Sequence, residues 1–187
     1  MSDFWRWMPL SQRTPQDESA VTDDRRAALD EVLGAVLDLP LPGQSATERM
    51  SAVAHSAGLA RIWSAAGGDV DRFRALLRAR RCSIRTLSRA VAAALRLARE
   101  AARALPLDPM VAGAVALYAQ AAGPFERRAV VRGHTVRATD ADWAFGTGPV
   151  LEGPAVEVAS FLLGVGDEPP QPPTAPGAQT EGTSTQP

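Results

Sequence analysis

The stretch His134–Gly166, HTVRATDADWAFGTGPVLEGPAVEVASFLLGVG, decides the fold, because only here does a helical residue pattern give way to a strand-like one. Polar and apolar residues alternate over His134–Thr139, and Trp143–Phe145 continues the alternation. The cluster Gly146–Pro149 is typical of a turn, after which Val150–Glu152 can pair back onto the preceding strand. The stretch therefore predicts a small β-hairpin near the end of the chain.

A closing helix follows this hairpin, and a helical bundle precedes it. Pro154 is suited to the first position of a helix that continues to Leu163, since proline lacks the N–H that a helix start leaves unpaired. Upstream, one-sided apolar repeats and N-capping residues predict about five helices over residues 21–122. These helices begin near Thr22, Ser45, Asp69, Ser83 and Asp108. The predicted fold class is mainly α, with a small α+β part at its C-terminal end.

Composition divides the chain into four predicted segments. Residues 1–20 form a flexible arm that carries an aromatic cluster, and residues 21–122 form the helical bundle. Residues 123–166 form the small α+β segment. Residues 167–187 are rich in proline, threonine, glutamine and glycine and hold no large apolar residue, so we expect a disordered tail.

Length and charge narrow the class of protein. The 187 residues suffice for one ordinary domain, and a net charge of −1 gives no overall field that would attract a nucleic acid or a membrane. The single cysteine, Cys82, excludes an internal disulfide and fits a reducing compartment. No apolar run reaches the roughly 18 residues that span a bilayer, and the N-terminus lacks the pattern of a signal peptide. We therefore expect a cytoplasmic protein.

The basic residues show an unusual bias, because all 20 are arginine and none is lysine. Two interpretations stay open. GC-rich coding replaces lysine by arginine throughout a protein, without any consequence for the fold. Alternatively, selection excludes lysine because its ammonium group is the attachment site for degradation tags.

An arginine-rich stretch is the largest electrostatic feature of the sequence. Between Arg72 and Arg103 there are ten arginines and a single acid, Glu100. One interpretation is a solvated helix face, and the other is a surface that binds a protein partner or a small anionic ligand. Nucleic acid is not a predicted partner, because stacking onto bases needs interleaved aromatic residues and only Phe73 is available. The candidate anion- or partner-binding residues are Arg78, Arg81, Arg85, Arg89 and Arg96.

A cluster of aromatic residues lies near the start of the chain, in the run FWRWM at positions 4–8. Large aromatic side chains are costly to leave in water, so this cluster is predicted to dock on another surface. That surface is the protein's own body in one interpretation, and a partner groove or a membrane interface in the other. The candidate partner-docking residues are Phe4, Trp5 and Trp7.

Three further groups have both a chemical and a structural interpretation. His55 lies mid-helix, where an imidazole nitrogen can bind a divalent metal, but no second ligand follows one helical turn later, which favours a structural histidine. Cys82, which lies among arginines, is either a reactive thiolate or an inert thiol. Asp140 and Asp142 point to the same side of a strand and suit acid–base work, although aspartates are also ordinary turn residues. None of these groups forms a catalytic constellation on its own.

Several motifs near the C-terminus resemble a known family in their order. They are Val136–Trp143 (VRATDADW), Gly146–Pro149 (GTGP), Glu152–Ala155 (EGPA) and Phe161–Gly164 (FLLG). In this order they resemble the C-terminal domain of actinobacterial mycothiol-dependent maleylpyruvate isomerase-like proteins, in which a DinB-like helical bundle precedes a small α+β domain. Upstream, Val53–Gly58 (VAHSAG) is similar to the family helix whose histidine begins the metal site.

The resemblance implies a divalent metal cofactor at His55 and a metal- and thiol-dependent isomerase or transferase activity. The carboxylate–histidine pair that completes the family's metal site on a later helix has no counterpart in this sequence. The sequence therefore favours a non-enzymatic binding or interaction protein that uses the arginine-rich helix face and the N-terminal aromatics. A degenerate member of the family is one form of this hypothesis, and an active member is the alternative.

Overall fold

The computed structural model describes residues 25–174, which form eight helices and a three-stranded sheet. The helices are α1 (Arg25–Leu37), α2 (Ala46–Ser56), α3 (Ala60–Ala65), α4 (Val70–Arg78), α5 (Ile84–Glu100), α6 (Pro109–Ala122), α7 (Phe125–Val131) and α8 (Ala155–Leu162). The strands are β1 (Thr135–Ala138), β2 (Ala144–Gly146) and β3 (Val150–Gly153). The predicted mainly α fold with a small sheet and a closing helix is confirmed. The predicted N-terminal arm lies outside the described residues.

A break separates α2 from α3, where the sequence predicts one continuous helix. Gly58 takes a φ of 76°, in the left-handed region that favours glycine, and this residue lies between the two helices. The predicted helix start is correct, because Ser45 Oγ accepts the N–H of Glu48 at 3.2 Å and Glu48 Oε2 accepts the N–H of Ser45 at 2.7 Å. Between residues 25 and 122 the structure therefore has six helices, one more than predicted.

The central element of the bundle is α5, which packs against α1, α2 and α6. Its inward faces are built from small and medium-sized apolar side chains, namely Leu87, Ala90, Val91, Ala94, Leu95 and Ala98. The large side chains that surround the helix are fully buried, as Leu33, Met50 and Phe73 show, and each such burial contributes about 1.5–3 kcal/mol. Because α5 is held by three neighbours, the position of its remaining face is fixed.

The three strands pair differently from the predicted hairpin. β1 is central, with β2 antiparallel to it and β3 parallel to it, so that Val136 lies opposite Leu151. The predicted pairing of Val150–Glu152 back across the turn is therefore wrong, and the antiparallel hairpin joins β1 to β2 instead. The two turn glycines, Gly146 and Gly148, have positive φ and pack directly on the backbone just before β1. The turn consequently crosses the start of β1 and places β3 on its other side.

The sheet is fastened to the helices by two polar contacts. Asp140 Oδ1 accepts the N–H of Ala155 at 2.7 Å, at the first residue of α8. Trp143 Nε1 donates to the carbonyl of Pro109 at 2.9 Å, and its ring fills the space beside Gly113 on α6. Buried side chains from α1 to α8 belong to one hydrophobic core, so the C-terminal segment packs as part of the bundle.

The residues just after α8 are more ordered than predicted. The predicted disorder of residues 167–187 is wrong for residues 167–174, because Gln171 forms an antiparallel bridge with Glu152 through hydrogen bonds of 2.7 and 2.9 Å. β3 is an edge strand, so its outer backbone groups are free to accept such a partner. Asp167 adds an ion pair with Arg127 at 2.7 Å. Among residues 25–174, no helix is both long and apolar enough to cross a membrane.

Candidate anion-binding site

A solvent-open cavity of about 450 Å³ lies between α5 and α6, bordered by Ser56 at the end of α2, by the loop after α6 and by Leu163 just after α8. Its polar lining consists of Ser56, Arg85, Ser88, Arg89, Arg96 and Tyr118. Its apolar lining consists of Ala92, Ala119, Ala122, Pro124 and Leu163. A cavity of this size is typical of small-molecule sites, which combine an apolar wall with a few convergent polar groups.

The spacing of the arginines along α5 brings them into this one cavity. Arg85, Arg89, Ala92 and Arg96 follow the intervals i, i+4, i+7 and i+11, which place all four on one face of the helix. The other faces of α5 are buried in the bundle, so this face is the one left for long charged side chains. Three of the five arginines that the sequence analysis selected therefore meet at one site.

These three guanidinium groups have no carboxylate partner in the part of the chain that the structure describes. Within residues 25–174, no hydrogen bond or ion pair is found for Arg85, Arg89 or Arg96, and no aspartate or glutamate lines the cavity. Their mutual repulsion is reduced by solvent exposure, since all three are exposed. The cavity therefore presents three positive charges that a bound anion can neutralise.

Ser88 adds an unsatisfied polar group to the cavity. This serine is 2% exposed, and its Oγ has no hydrogen-bond partner. A buried hydroxyl without a partner costs about 1–3 kcal/mol. Ser88 lies one helical turn from Arg85, and its side chain forms part of the wall of the same cavity.

The glycine break between α2 and α3 makes room for Arg89. The Nη1 atom of Arg89 lies 3.6 Å from the point that a Cβ on Gly58 would occupy. A Cβ there would be in ordinary van der Waals contact with the guanidinium group, but the positive φ of Gly58 would strain any residue other than glycine. The break that divides the predicted helix thus also shapes one end of the cavity.

Arg78 lies outside the cavity and has a partner. Its Nη2 atom lies 2.8 Å from Asp30 Oδ2, and Arg74 Nε lies 2.7 Å from Asp30 Oδ1. The hydrogen bond from Arg74, with a second one from Arg78, outweighs burial and holds the pKa of the Asp30 carboxyl below its usual range. The same contact raises the pKa of Arg74. These two arginines therefore fasten α4 to α1.

Arg81 is exposed in the connection between α4 and α5 and does not line the cavity. No ion pair involving this side chain is found within residues 25–174. Arg81 is therefore an unpaired arginine that lies close to the cavity in sequence but not in the site, which makes it a matched control for the three arginines inside.

The candidate metal and nucleophile residues do not come together. His55 is exposed on α2, and its Nδ1 lies 2.7 Å from the carbonyl oxygen of Ser51. Across residues 25–174 there is no group of three or more histidine, cysteine, aspartate or glutamate side chains that could hold a metal ion. Cys82 is half-buried in the connection just before α5. The metal hypothesis for His55 stays a prediction without a ligand set in the described part of the chain.

The N-terminal aromatics Phe4, Trp5 and Trp7 lie outside the described residues. Their predicted docking role stays a prediction.

Comparison of the chain with protein-family models, with curated proteins and with solved structures gives no significant match. The resemblance to maleylpyruvate isomerase-like proteins therefore stays a prediction that rests on the quoted motifs.

Sequence reasoning missed three polar residues of the cavity, Ser56, Ser88 and Tyr118. Ser88 had a detectable signal, because it lies three residues after Arg85 and is therefore its neighbour one helical turn along α5. Ser56 and Tyr118 had none, since they come from α2 and α6 and reach the site only through the packing of those helices on α5.

Proposed function

We propose that this protein is a non-enzymatic binding protein that holds a small amphipathic anion in the cavity between α5 and α6. The observation that carries the proposal is the convergence of Arg85, Arg89 and Arg96 in one cavity that has no carboxylate among its lining residues. An anionic head group placed there accepts charge-assisted hydrogen bonds, which are each worth about 1.5–3 kcal/mol. The apolar wall then favours a ligand that also carries a hydrophobic body.

A small ligand fits the site better than an acidic protein surface does. The cavity is concave, and such a shape suits a compact ligand better than a flat protein surface. A carboxylate, phosphate or sulfonate group on a small molecule can approach the exposed arginines together. Calorimetry distinguishes an acidic peptide from a small anion by the affinity of each for the protein.

The composition of the cavity supports binding without catalysis. General acid–base or nucleophilic chemistry needs a proton acceptor such as histidine, aspartate or glutamate close to the reacting group. The cavity lining includes three hydroxyl groups, those of Ser56, Ser88 and Tyr118. It includes no histidine, aspartate, glutamate or cysteine. The arginines are suited to holding an anion, since they stay protonated at all physiological pH values.

Isothermal titration calorimetry with 1-naphthyl phosphate tests this proposal, because the probe joins a phosphate to an apolar ring system. We expect one binding site per chain in the wild-type protein and an affinity about tenfold lower in Arg89→Gln, since one charge-assisted hydrogen bond is lost. The variant with glutamine at all three cavity arginines should show no measurable binding. Inorganic phosphate should bind more weakly, because it leaves the apolar wall unused.

Arg81→Gln is the matched control, because it removes an exposed and unpaired arginine outside the cavity. This variant should bind the probe as the wild type does. Equal affinity in the wild type and in the triple glutamine variant would show that the cavity is not the binding site. Binding of a polyglutamate peptide with higher affinity than 1-naphthyl phosphate would show that the site serves an acidic protein partner.

A further inference from the structure

The exposed large apolar side chains of this protein are confined to one region. Among residues 25–174 four such side chains are exposed, and they are Met110 at 61%, Leu117 at 54%, Phe125 at 71% and Val130 at 43%. All four belong to α6 and α7, which are consecutive helices. Scattered exposed apolar residues are normal, but a contiguous group of them marks an interaction surface.

The outward side of α6 forms an apolar stripe made of Met110, Ala114, Leu117 and Ala121. These residues follow the intervals i, i+4, i+7 and i+11, and all are exposed. The opposite side of the helix is buried in the core, and no charged residue occurs anywhere in α6. A helix on the surface of a monomer normally has polar residues on its outer face, whereas a helix that is apolar on all sides is buried. The sequence of α6 is therefore that of a helix covered on both sides.

The sizes of the residues in the stripe alternate in a way that matches a second copy of the same stripe. An antiparallel pair of α6 helices related by a two-fold axis between Val115 and Ala116 places Met110 opposite Ala121 and Leu117 opposite Ala114. Each large side chain of one copy then faces a small side chain of the other. The two-fold axis makes every such contact occur twice, once from each copy. The small residues allow the two helices to approach within the 8–10 Å or so typical of packed helices.

We propose that the α6 stripe is the interface of a homodimer in which α6 packs antiparallel against α6 of a second copy of this chain. The stripe is free of charge, so a like-on-like contact does not bring equal charges together at its centre. Phe125 of α7 lies beside Ala121 and extends the apolar area, and Arg128 of α7 and Arg132 just after it give this area a polar rim. The inward side of α6 lines the cavity through Tyr118, so the dimer contact and the cavity use different sides of one helix.

Sedimentation velocity of the full chain over a range of micromolar concentrations tests the dimer, together with two charge variants. Met110→Glu and Ala121→Arg should each raise the dimer dissociation constant at least about 100-fold, because an unpaired charge is buried at the interface. The double variant Met110→Glu/Ala121→Arg should return to within about tenfold of the wild type, since each glutamate then meets an arginine of the other copy. Within one chain these positions are about 16 Å apart along the helix, so they cannot pair with each other.

Ala75→Arg on α4 is the matched control, because Ala75 is exposed on a helix outside the stripe, and it should dimerise as the wild type does. A wild-type protein that stays at its monomer mass of 19.7 kDa at all concentrations would overturn the proposal. A dimer that both single variants leave intact would place the interface elsewhere. A double variant that dissociates further than either single variant would exclude the antiparallel pairing. If the wild type is monomeric and removal of residues 1–20 speeds hydrogen exchange in α6, the stripe is covered by the chain's own N-terminal segment instead.

Discussion

At the scale of single residues, some arginines of this protein form an ion pair with a carboxylate and others do not. Arg74 and Arg78 share Asp30, whose side chain is 23% exposed, whereas the cavity arginines have no such partner. An ion pair in this half-buried setting is worth about 1 kcal/mol, because two arginines share one carboxylate and water screens the outer of them. Charge that is paired in this way supports the fold, and charge that is left unpaired is available to a ligand.

The stabilisation by Asp30 should depend on pH in a defined direction. Because the pKa of Asp30 is lowered in the folded protein, its contribution is complete above the unfolded pKa of about 3.9 and is lost as the pH falls through the folded value. We expect Asp30→Asn to lower the free energy of unfolding by about 1–2 kcal/mol at pH 7. Urea titrations at a series of pH values should show the difference from the wild type shrinking below about pH 4. A difference that is constant down to pH 2 would contradict this account.

At the scale of secondary-structure elements, the end of α1 depends on one buried arginine. Arg49 of α2 is 8% exposed and donates to the carbonyls of Val36, Leu37 and Gln44 at 3.2, 2.9 and 2.7 Å. The last carbonyls of a helix have no partner within the helix, so this side chain supplies a donor to the carbonyl of Leu37 and a second donor to that of Val36, which also accepts the N–H of Leu39 at 3.4 Å. Arg49 thereby joins α1 to α2 and fixes the angle between them.

Arg49→Met tests this role, because methionine keeps the apolar length of the side chain and removes all three donors. We expect the free energy of unfolding to fall by about 1–3 kcal/mol, since three hydrogen bonds are lost and the carbonyl of Leu37 is left without its donor. Chemical denaturation measures the change. Arg61→Met, at an exposed arginine of α3, is the control and should change stability by less than about 0.5 kcal/mol. A similar small effect for Arg49→Met would mean that water replaces the guanidinium group.

Some secondary-structure elements were predicted correctly from the sequence and others were not, and the reason is physical. Helix starts were predictable, because the capping box at Ser45 acts over three residues. The break at Gly58 was not, since a glycine inside a helical pattern is tolerated in most helices and its positive φ follows from packing. The pairing of β3 with β1 was not predictable either, because a turn sequence indicates a reversal but does not determine which strand edge is free.

At the scale of the whole molecule, the candidate site depends on the packing of distant helices. The common face of Arg85, Arg89 and Arg96 follows from their spacing on one helix and was predictable from it. The engagement of Arg78 with Asp30, 48 residues away, follows from the packing of α4 on α1 and left no signal in the local sequence. The cavity forms because α6 and the end of α2 pack beside the arginine face of α5. Its positive charge is left unneutralised because neither of these helices contributes a carboxylate to its lining.

The most direct test of this account is a titration of the full-length, ¹⁵N-labelled protein with 1-naphthyl phosphate, in which the arginine Nε–Hε resonances are followed by NMR. Single glutamine variants assign the resonances. The account predicts that Arg85, Arg89 and Arg96 shift together along one saturable curve, while the exposed Arg61 and Arg81 stay in place. Equal shifts in all exposed arginines, or a complete lack of response in the three cavity arginines, would contradict the assignment of the cavity as an anion-binding site.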